Sequence, residues 1–207
     1  MSPSWLPRFG AVCGVLLGLS IGLPGIAEAF TGETAVTSFV IGLGAAFGPP
    51  ALTAFHLHQG AAAGRFGAVA YAVNTVGLGL FTGVAFALNL VVFFLDAPVA
   101  AGLMAGPTRF AVFGGMAVFV AGTVLFGVSM WRARVFPRPA AAAYVVSLVL
   151  LTALAPLPDT PFTSLVHVAV CATLVWLSAR VWSGADAVRR PGVPGRDLPS
   201  PAPAGGR

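Results

Sequence analysis

Apolar residues fill most of this chain in six long blocks, which short polar or Pro/Gly-rich connections separate. A helix needs roughly 20 apolar residues to cross the hydrocarbon core of a bilayer. The blocks that meet or approach this length cover residues 9–27, 37–58, 66–95, 110–131, 140–154 and 162–182. The third is long enough to require tilt or protrusion, and the fifth is short. The pattern predicts an all-α, polytopic transmembrane helical bundle of six spans.

Composition supports the same class of protein. Of 207 residues, 57% are hydrophobic and 8% are charged, and the mean hydropathy is +0.92. Soluble domains carry about 25% charged residues, so this chain has too few to cover a surface that faces water. Residues 183–207 differ, because they are rich in Pro, Gly, Ala and Arg. Such a segment buries too little apolar surface to offset its ordering entropy, which predicts a disordered tail after a transmembrane domain of residues 1–182.

Charge predicts the orientation of the spans. On a six-span map, ten of the eleven arginines fall on one side, and Arg109 is the exception. Because Arg-rich loops stay in the cytoplasm, the map predicts that both termini are cytoplasmic, in a bacterial inner membrane. The other side carries Glu28, Glu33, Asp96 and Asp159. The pI near 10.6 would suggest nucleic acid in a soluble protein, but arginines at helix ends indicate lipid instead. Arg132, Arg134 and Arg138, beside aromatic residues, are the candidate anionic headgroup site.

The first block carries four glycines at strict i+4 spacing, namely Gly10, Gly14, Gly18 and Gly22. Such a ridge lets two helices approach closely in lipid. It predicts either an intramolecular packing face or the seam of a homo-oligomer or of a complex with a membrane partner protein. An alternative is that residues 1–29 are a cleaved signal peptide, since an apolar stretch precedes an A-x-A sequence there. Cleavage would leave five spans in the same orientation.

Three polar or helix-breaking features form a candidate substrate path. Pro49 and Pro50 lie near the middle of the second span, where they free the carbonyls of residues 45 and 46. Interrupted helices build substrate sites in transporters, but they also occur as plain kinks. Asn74 and Asn89 share a broad face of the third span, and His167 lies one turn inside the outer end of the sixth. Each of these three side chains could also form only interhelical hydrogen bonds.

Catalytic and cofactor signatures are absent from the sequence. It has no HExxH, no P-loop and no GxGxxG, and it contains no lysine for a Schiff base. We therefore expect no cofactor and no enzyme activity. Ser129 and His167 resemble a rhomboid-type serine–histidine pair, yet the map places them at opposite ends of their spans, too far apart for catalysis. No carboxylate lies deep in a predicted span, which disfavours a proton-coupled antiporter. Cys13 and Cys171 lie in apolar runs, and no disulfide is expected.

The block Leu125-Phe126-Gly127, followed by Arg132, Arg134, Val135, Pro137, Arg138 and an Ala run, ends one span and begins the next. It resembles uncharacterised multi-pass membrane proteins of bacteria with high-GC genomes, over about 60 residues up to Trp182. The resemblance implies a multi-pass helical fold and brings no activity or functional residues.

Two functions fit these observations. The first is a non-catalytic membrane component that packs through its glycine-rich helix faces. The alternative is a small-solute transporter or permease with a broken second helix. They differ in whether the second helix, Asn74 and Asn89 line a cavity or pack without one.

Overall fold

The computed structural model describes residues 5–155 and 160–187, and this part of the chain is helical with no β-strand. Short 3₁₀ segments at Ala45–Phe47, Gly60–Ala63 and Val92–Phe94 join or extend the helices. The α-helices are α1 (Trp5–Thr31), α2 (Ala35–Gly44), α3 (Gly48–Gln59), α4 (Gly64–Leu90), α5 (Ala97–Ala105), α6 (Thr108–Ala133), α7 (Arg138–Leu154) and α8 (Pro161–Ala187).

Several of these helices have the length and composition of membrane spans. In the described residues, four helical stretches qualify on both counts: Trp5–Thr31, Ala35–Phe94, Thr108–Ala133 and Pro161–Ala185. Helix α7 is apolar but shorter. The all-α class and the presence of apolar helices that can cross a membrane are therefore confirmed.

The stretch Ala35–Phe94 is not one straight rod, because it folds back on itself. Gly42 lies against Leu90, and Gly48 lies against Leu78. As one residue number rises the other falls, so α2 and α3 run antiparallel to α4. The reversal occurs at Gly60 and Gly64, whose φ angles of 51° and 56° favour glycine.

The same reasoning shows that the remaining helices also alternate in direction. Along α1, Gly10 lies against Ala54 and Ser20 lies against Gly44, so α1 is antiparallel to the second leg; Gly14 and Gly25 lie against Ser178 and His167 of α8, again in reverse order. Helix α4 contacts α6 in reverse order, and α6 contacts α7 in reverse order, at Trp131 with Arg138 and at Gly127 with Val145. The described helices therefore form six antiparallel legs, with α2 and α3 making one leg and the short α5 lying in a connection. We call the end with Arg8, Arg65 and Arg132 the basic end, and the end with Glu28, Glu33 and Asp96 the acidic end.

The glycine ridge of α1 is covered within the chain. A Cβ at Gly10 would clash with Ala54 of α3, and one at Gly14 would clash with Ser178 of α8. At Gly18 it would lie 3.1 Å from the Cys171 carbonyl oxygen, and at Gly22 it would lie 2.6 Å from Cys171 Cβ. All four glycines are buried. The ridge is thus an intramolecular packing face, and it is not available as an oligomer seam in this fold.

Helices α4 and α6 approach each other at two other glycines. A Cβ at Gly77 would lie 2.6 Å from Phe119 Cα, and a Cβ at Gly122 would lie 2.5 Å from Asn74 Cα. Since backbone meets backbone at both positions, no larger residue fits without separating the helices. By contrast, Gly79 and Gly83 face outward and have nothing within 4 Å.

Before the two prolines of the second leg, the helix narrows to a 3₁₀ turn and does not unwind. Gly44, Ala45, Phe47 and Gly48 all keep right-handed helical φ and ψ angles. Pro49 and Pro50 occupy the first turn of α3, where a missing N–H costs little. The interruption is therefore a 3₁₀ step in a continuous right-handed path, and the expectation of a broken helix is correct only in that limited sense.

Several helix ends differ from the sequence boundaries because polar residues continue an apolar helix for about one turn. Helix α1 continues to Thr31, so Glu28 lies inside it and is buried, at 6% exposure. Glu28 lies three residues before the end of α1, so its burial does not contradict the expectation that no carboxylate lies deep in a span. The third leg stops at Leu90 and a 3₁₀ turn follows, while α8 continues to Ala187. The disordered tail is predicted for residues 183–207, but α8 includes its first five residues. The rest of the tail and Asp159 lie outside the described residues.

Candidate functional site

A cavity of about 480 Å³ occupies the acidic half of the bundle. Its walls come from α1, α2, α4, α6, α7 and α8 and are mostly aliphatic or aromatic. Small-molecule sites typically measure about 300–1,000 Å³ and combine apolar walls with a few polar groups. The polar side chains that line it are those of Glu28, Glu33, Thr82, Asn89, Thr163 and His167.

The turn between α1 and α2 places both glutamates at this cavity. Gly32 adopts a φ of 70°, which lets the chain reverse, and its N–H donates to the Glu28 carbonyl at 3.0 Å. A reciprocal capping box between Thr34 and Thr37 then begins α2. Glu33 accepts a 2.8 Å hydrogen bond from the Ser38 hydroxyl, which orients the carboxylate of this exposed residue.

The 3₁₀ step in the second leg contributes a backbone oxygen at the cavity. Because Pro49 has no N–H, the Ala45 carbonyl cannot accept the usual α-helical hydrogen bond. It instead accepts from the Gly48 N–H and, at 3.4 Å, from the Thr82 hydroxyl of α4. Asn89, two turns further along α4, donates from Nδ2 to the Ala85 carbonyl at 2.8 Å.

His167 is held on the opposite wall by the start of α8. Thr160 and Thr163 form a second pair of reciprocal side-chain and backbone hydrogen bonds at that helix start. One turn later, His167 Nδ1 lies 2.7 Å from the Thr163 carbonyl oxygen. Gly25 of α1 makes room for the ring, since a Cβ there would clash with His167.

Asn74 does not line the cavity; it lies beneath the floor. The lining residues nearest the basic end are Leu78, Phe119 and Leu148. One helical turn further on, Asn74 donates to the Tyr144 hydroxyl at 2.9 Å and accepts from Thr123 at 3.4 Å. Asn74 and Thr123 are fully buried. This buried triad of Asn74, Thr123 and Tyr144 matches the alternative expectation of interhelical hydrogen bonding.

The candidate substrate path is thus divided by the fold. Asn89, His167 and the Ala45 carbonyl meet at one cavity, whereas Asn74 packs below it and Pro49 and Pro50 act only through the carbonyl they release. Four cavity residues were not predicted as site residues from the sequence: Glu28, Glu33, Thr82 and Thr163. The repeated Thr-x-x-Thr pattern at residues 34–37 and 160–163 marks both helix starts at the cavity mouth and could have indicated them.

Other candidate chemistry lies apart from the cavity. The Ser129 hydroxyl donates to the Gln59 side-chain oxygen at the basic end, far along the bundle from His167. His56 stacks on Tyr71, with ring centroids 4.3 Å apart, while His58 lies against Phe136. Cys13 and Cys171 are both free thiols. Across the described residues, no three His, Cys, Asp or Glu side chains are grouped to hold a metal ion.

Some of the arginines at the basic end lie against aromatic rings. Arg132 stacks over Phe66 at 5.0 Å and Arg138 over Trp131 at 5.7 Å, each distance running to the ring centroid. Arg134 ends α6 in the left-handed conformation, with a φ of 58°. A Trp or Tyr ring beside a cation is typical of a membrane interface.

Comparison with protein-family models, with curated proteins and with solved structures finds no match to this chain. The resemblance of the C-terminal half to multi-pass bacterial membrane proteins therefore stays a prediction.

Proposed function

We propose that this protein is a six-span inner-membrane protein that admits a small, largely apolar solute into its cavity, as a transporter or permease does. The observation that supports this most is the meeting of Asn89, His167 and the Ala45 carbonyl at one cavity of about 480 Å³. A component that served only for packing would need no such space. The proposed role is binding and passage of a solute, without catalysis.

The proposed topology places the basic end in the cytoplasm and the acidic end outside. The alternation of six antiparallel legs supports it, because both described termini then lie at the basic end. Arg8 stacks over Trp182 at 5.5 Å, which joins the start of α1 to the end of α8. We also propose that α1 is retained as the first span, since its loss would uncover the faces of α3 and α8 that the glycine ridge covers.

Thiol labelling tests whether the cavity is open to water. In a Cys13→Ala/Cys171→Ala background, Ala85→Cys places a thiol on the cavity wall, and Phe86→Cys places one on the outward face of the same turn. A hydrophilic maleimide should label Ala85→Cys and leave Phe86→Cys unlabelled, because lipid excludes the reagent. Absence of labelling at Ala85→Cys would contradict a water-accessible cavity and with it the transport proposal.

A second labelling pair tests the orientation. Ala35 and Ala62 are both exposed, and they lie at the acidic and basic ends respectively. A membrane-impermeant maleimide applied to spheroplasts should label Ala35→Cys at once and Ala62→Cys only after lysis. The reverse order would place the arginines outside and overturn the proposed topology.

If the protein were instead a non-catalytic component that packs against another protein, it would have to use a surface other than the α1 ridge. The α1 ridge is occupied, whereas Gly79 and Gly83 are exposed on α4. Gly79→Leu/Gly83→Leu should leave the oligomeric state in nanodiscs unchanged if solute passage is the function. A loss of oligomers would instead favour the packing component.

A further inference from the structure

The polar groups of the cavity share one property, which is that they accept hydrogen bonds. Glu28 and Glu33 bring carboxyl oxygens, which accept hydrogen bonds, to the lining. One Glu33 oxygen already accepts from the Ser38 hydroxyl. The hydroxyls of Thr82 and Thr163 already donate to the carbonyls of Ala45 and Thr160. Because the Thr163 oxygen also accepts from the Thr160 N–H at 2.8 Å, the hydroxyl lone pairs that can be offered to a solute are chiefly those of Thr82.

His167 and Asn89 extend this pattern. A ring nitrogen that lies 2.7 Å from a carbonyl oxygen must carry the hydrogen, so Nδ1 of His167 is the donor to Thr163. In the neutral imidazole, Nε2 then presents a lone pair. Asn89 uses one amide hydrogen on the Ala85 carbonyl and keeps Oδ1 as an acceptor, with a second amide hydrogen as a spare donor.

The charge of the cavity points in the same direction. Two carboxylates line it, and the described lining residues include no Arg. Arg109, the arginine at the acidic end, lies over the ring of Phe110 at 4.9 Å and does not line the cavity. The walls include the rings of Phe81, Phe93 and Phe119. Phe81 and Phe119 stack on each other with centroids 4.4 Å apart, which leaves at most one face of each of these two rings for a cation.

We propose that the cavity binds a monovalent organic cation with an apolar body and N–H donors, that is, a protonated lipophilic amine. This assignment rests on the proposed function and names its solute class. The ammonium group supplies N–H donors to these acceptors and a charge opposite to that of a carboxylate, and the apolar body contacts the aliphatic and aromatic walls. An inorganic divalent cation is a poorer fit, because it needs six or more oxygen ligands. An anion would face two carboxylates.

Three naphthalene probes of similar size test the solute class. They are 1-naphthylmethylammonium, 1-naphthylmethanol and 1-naphthoate, measured by equilibrium dialysis against the full-length protein in nanodiscs of zwitterionic lipid, with empty nanodiscs subtracted. The ammonium should bind at least about tenfold more tightly than the alcohol, because hydrogen bonds to charged groups are the stronger class. The carboxylate should bind least.

Matched variants assign that preference to the cavity. Glu33→Gln and Glu28→Gln should each reduce the preference for ammonium over alcohol several-fold. Asp96→Asn, which removes one carboxylate at the same end but outside the cavity lining, should leave the preference unchanged.

Two results would overturn the assignment. One is equal or absent binding of the ammonium by the unmodified protein, which does not depend on any variant folding. The other is an equal response of Asp96→Asn and the two glutamate variants. Labelling of Ala85→Cys remains a separate measurement, so a wrong solute class and a missing cavity give different results.

Discussion

The two halves of the bundle are built from the same helices but are filled in opposite ways. At the basic half, Phe55, Phe126, Phe136 and Met130 are fully buried, and ring edges contact ring faces between Phe55 and Phe136. At the acidic half, the aromatic side chains of Phe81 and Phe93 line a cavity.

Aromatic content alone therefore does not decide which half is closed. Between the two halves lie the α4–α6 contact at Gly77 and Gly122 and the buried triad of Asn74, Thr123 and Tyr144. There the helices are in backbone contact, and beyond Leu78 and Phe119 they enclose space. Small residues at the contact thus determine where the bundle is closed, and the cavity begins one turn away from the triad.

The sharpest test of this contrast truncates one aromatic residue in each half. Phe126→Ala removes a fully buried ring and should lower the free energy of unfolding by about 3–5 kcal/mol. Phe81→Ala removes a ring that already faces empty space on one side, and it should cost less than half as much. Thermal unfolding in nanodiscs measures both. Equal losses would mean that the two halves are packed alike.

The α4–α6 contact can be tested with one methyl group. Gly77→Ala forces a Cβ against Phe119 and should cost about 1–3 kcal/mol through overpacking. Gly79→Ala adds the same methyl group on the outward face of the same helix. It should be neutral or stabilise by up to about 1 kcal/mol, because alanine favours helix. Similar melting temperatures for the two variants would argue against close backbone contact.

The buried triad should contribute less than the packing of large groups. Tyr144→Phe removes the acceptor of Asn74 and should cost about 1–2 kcal/mol. Tyr71→Phe removes a hydroxyl whose partner, Thr53, also bonds to the Pro49 carbonyl, so the cost should be smaller. Chemical denaturation in mixed micelles measures the free energy of unfolding of both variants. A larger loss of stability in Tyr71→Phe than in Tyr144→Phe would contradict a structural role for the triad.

The smallest effect concerns lipid at the two ends. Arg132→Gln/Arg138→Gln should reduce co-purifying anionic lipid, since each arginine near a headgroup layer contributes about 1 kcal/mol. Arg109→Gln removes an arginine that also lies over an aromatic ring, but at the acidic end. It should change lipid content little, as read by native mass spectrometry. An equal reduction in both would contradict a specific headgroup site at the basic end.

The class of fold follows from the apolar pattern along the chain. Long apolar blocks with almost no charge can satisfy their backbone hydrogen bonds in lipid only as helices, and the i+4 spacing of Gly10 to Gly22 identified a helix face without side chains, which lies against α3 and α8 in the structure. Local chemistry also predicted the release of the Ala45 carbonyl, because a proline four residues later has no N–H to offer.

Which polar residues lie together depends instead on how the helices pack. Asn74 and Asn89 belong to one helix, yet Asn74 lies below the floor formed by Leu78 and Phe119, whereas Asn89 lies above it with His167. Glu28 was expected in a loop and becomes a cavity residue because α1 continues to Thr31. The physical reason is that helical periodicity fixes the face and depth of a side chain, whereas the neighbours opposite that face depend on which helices pack together.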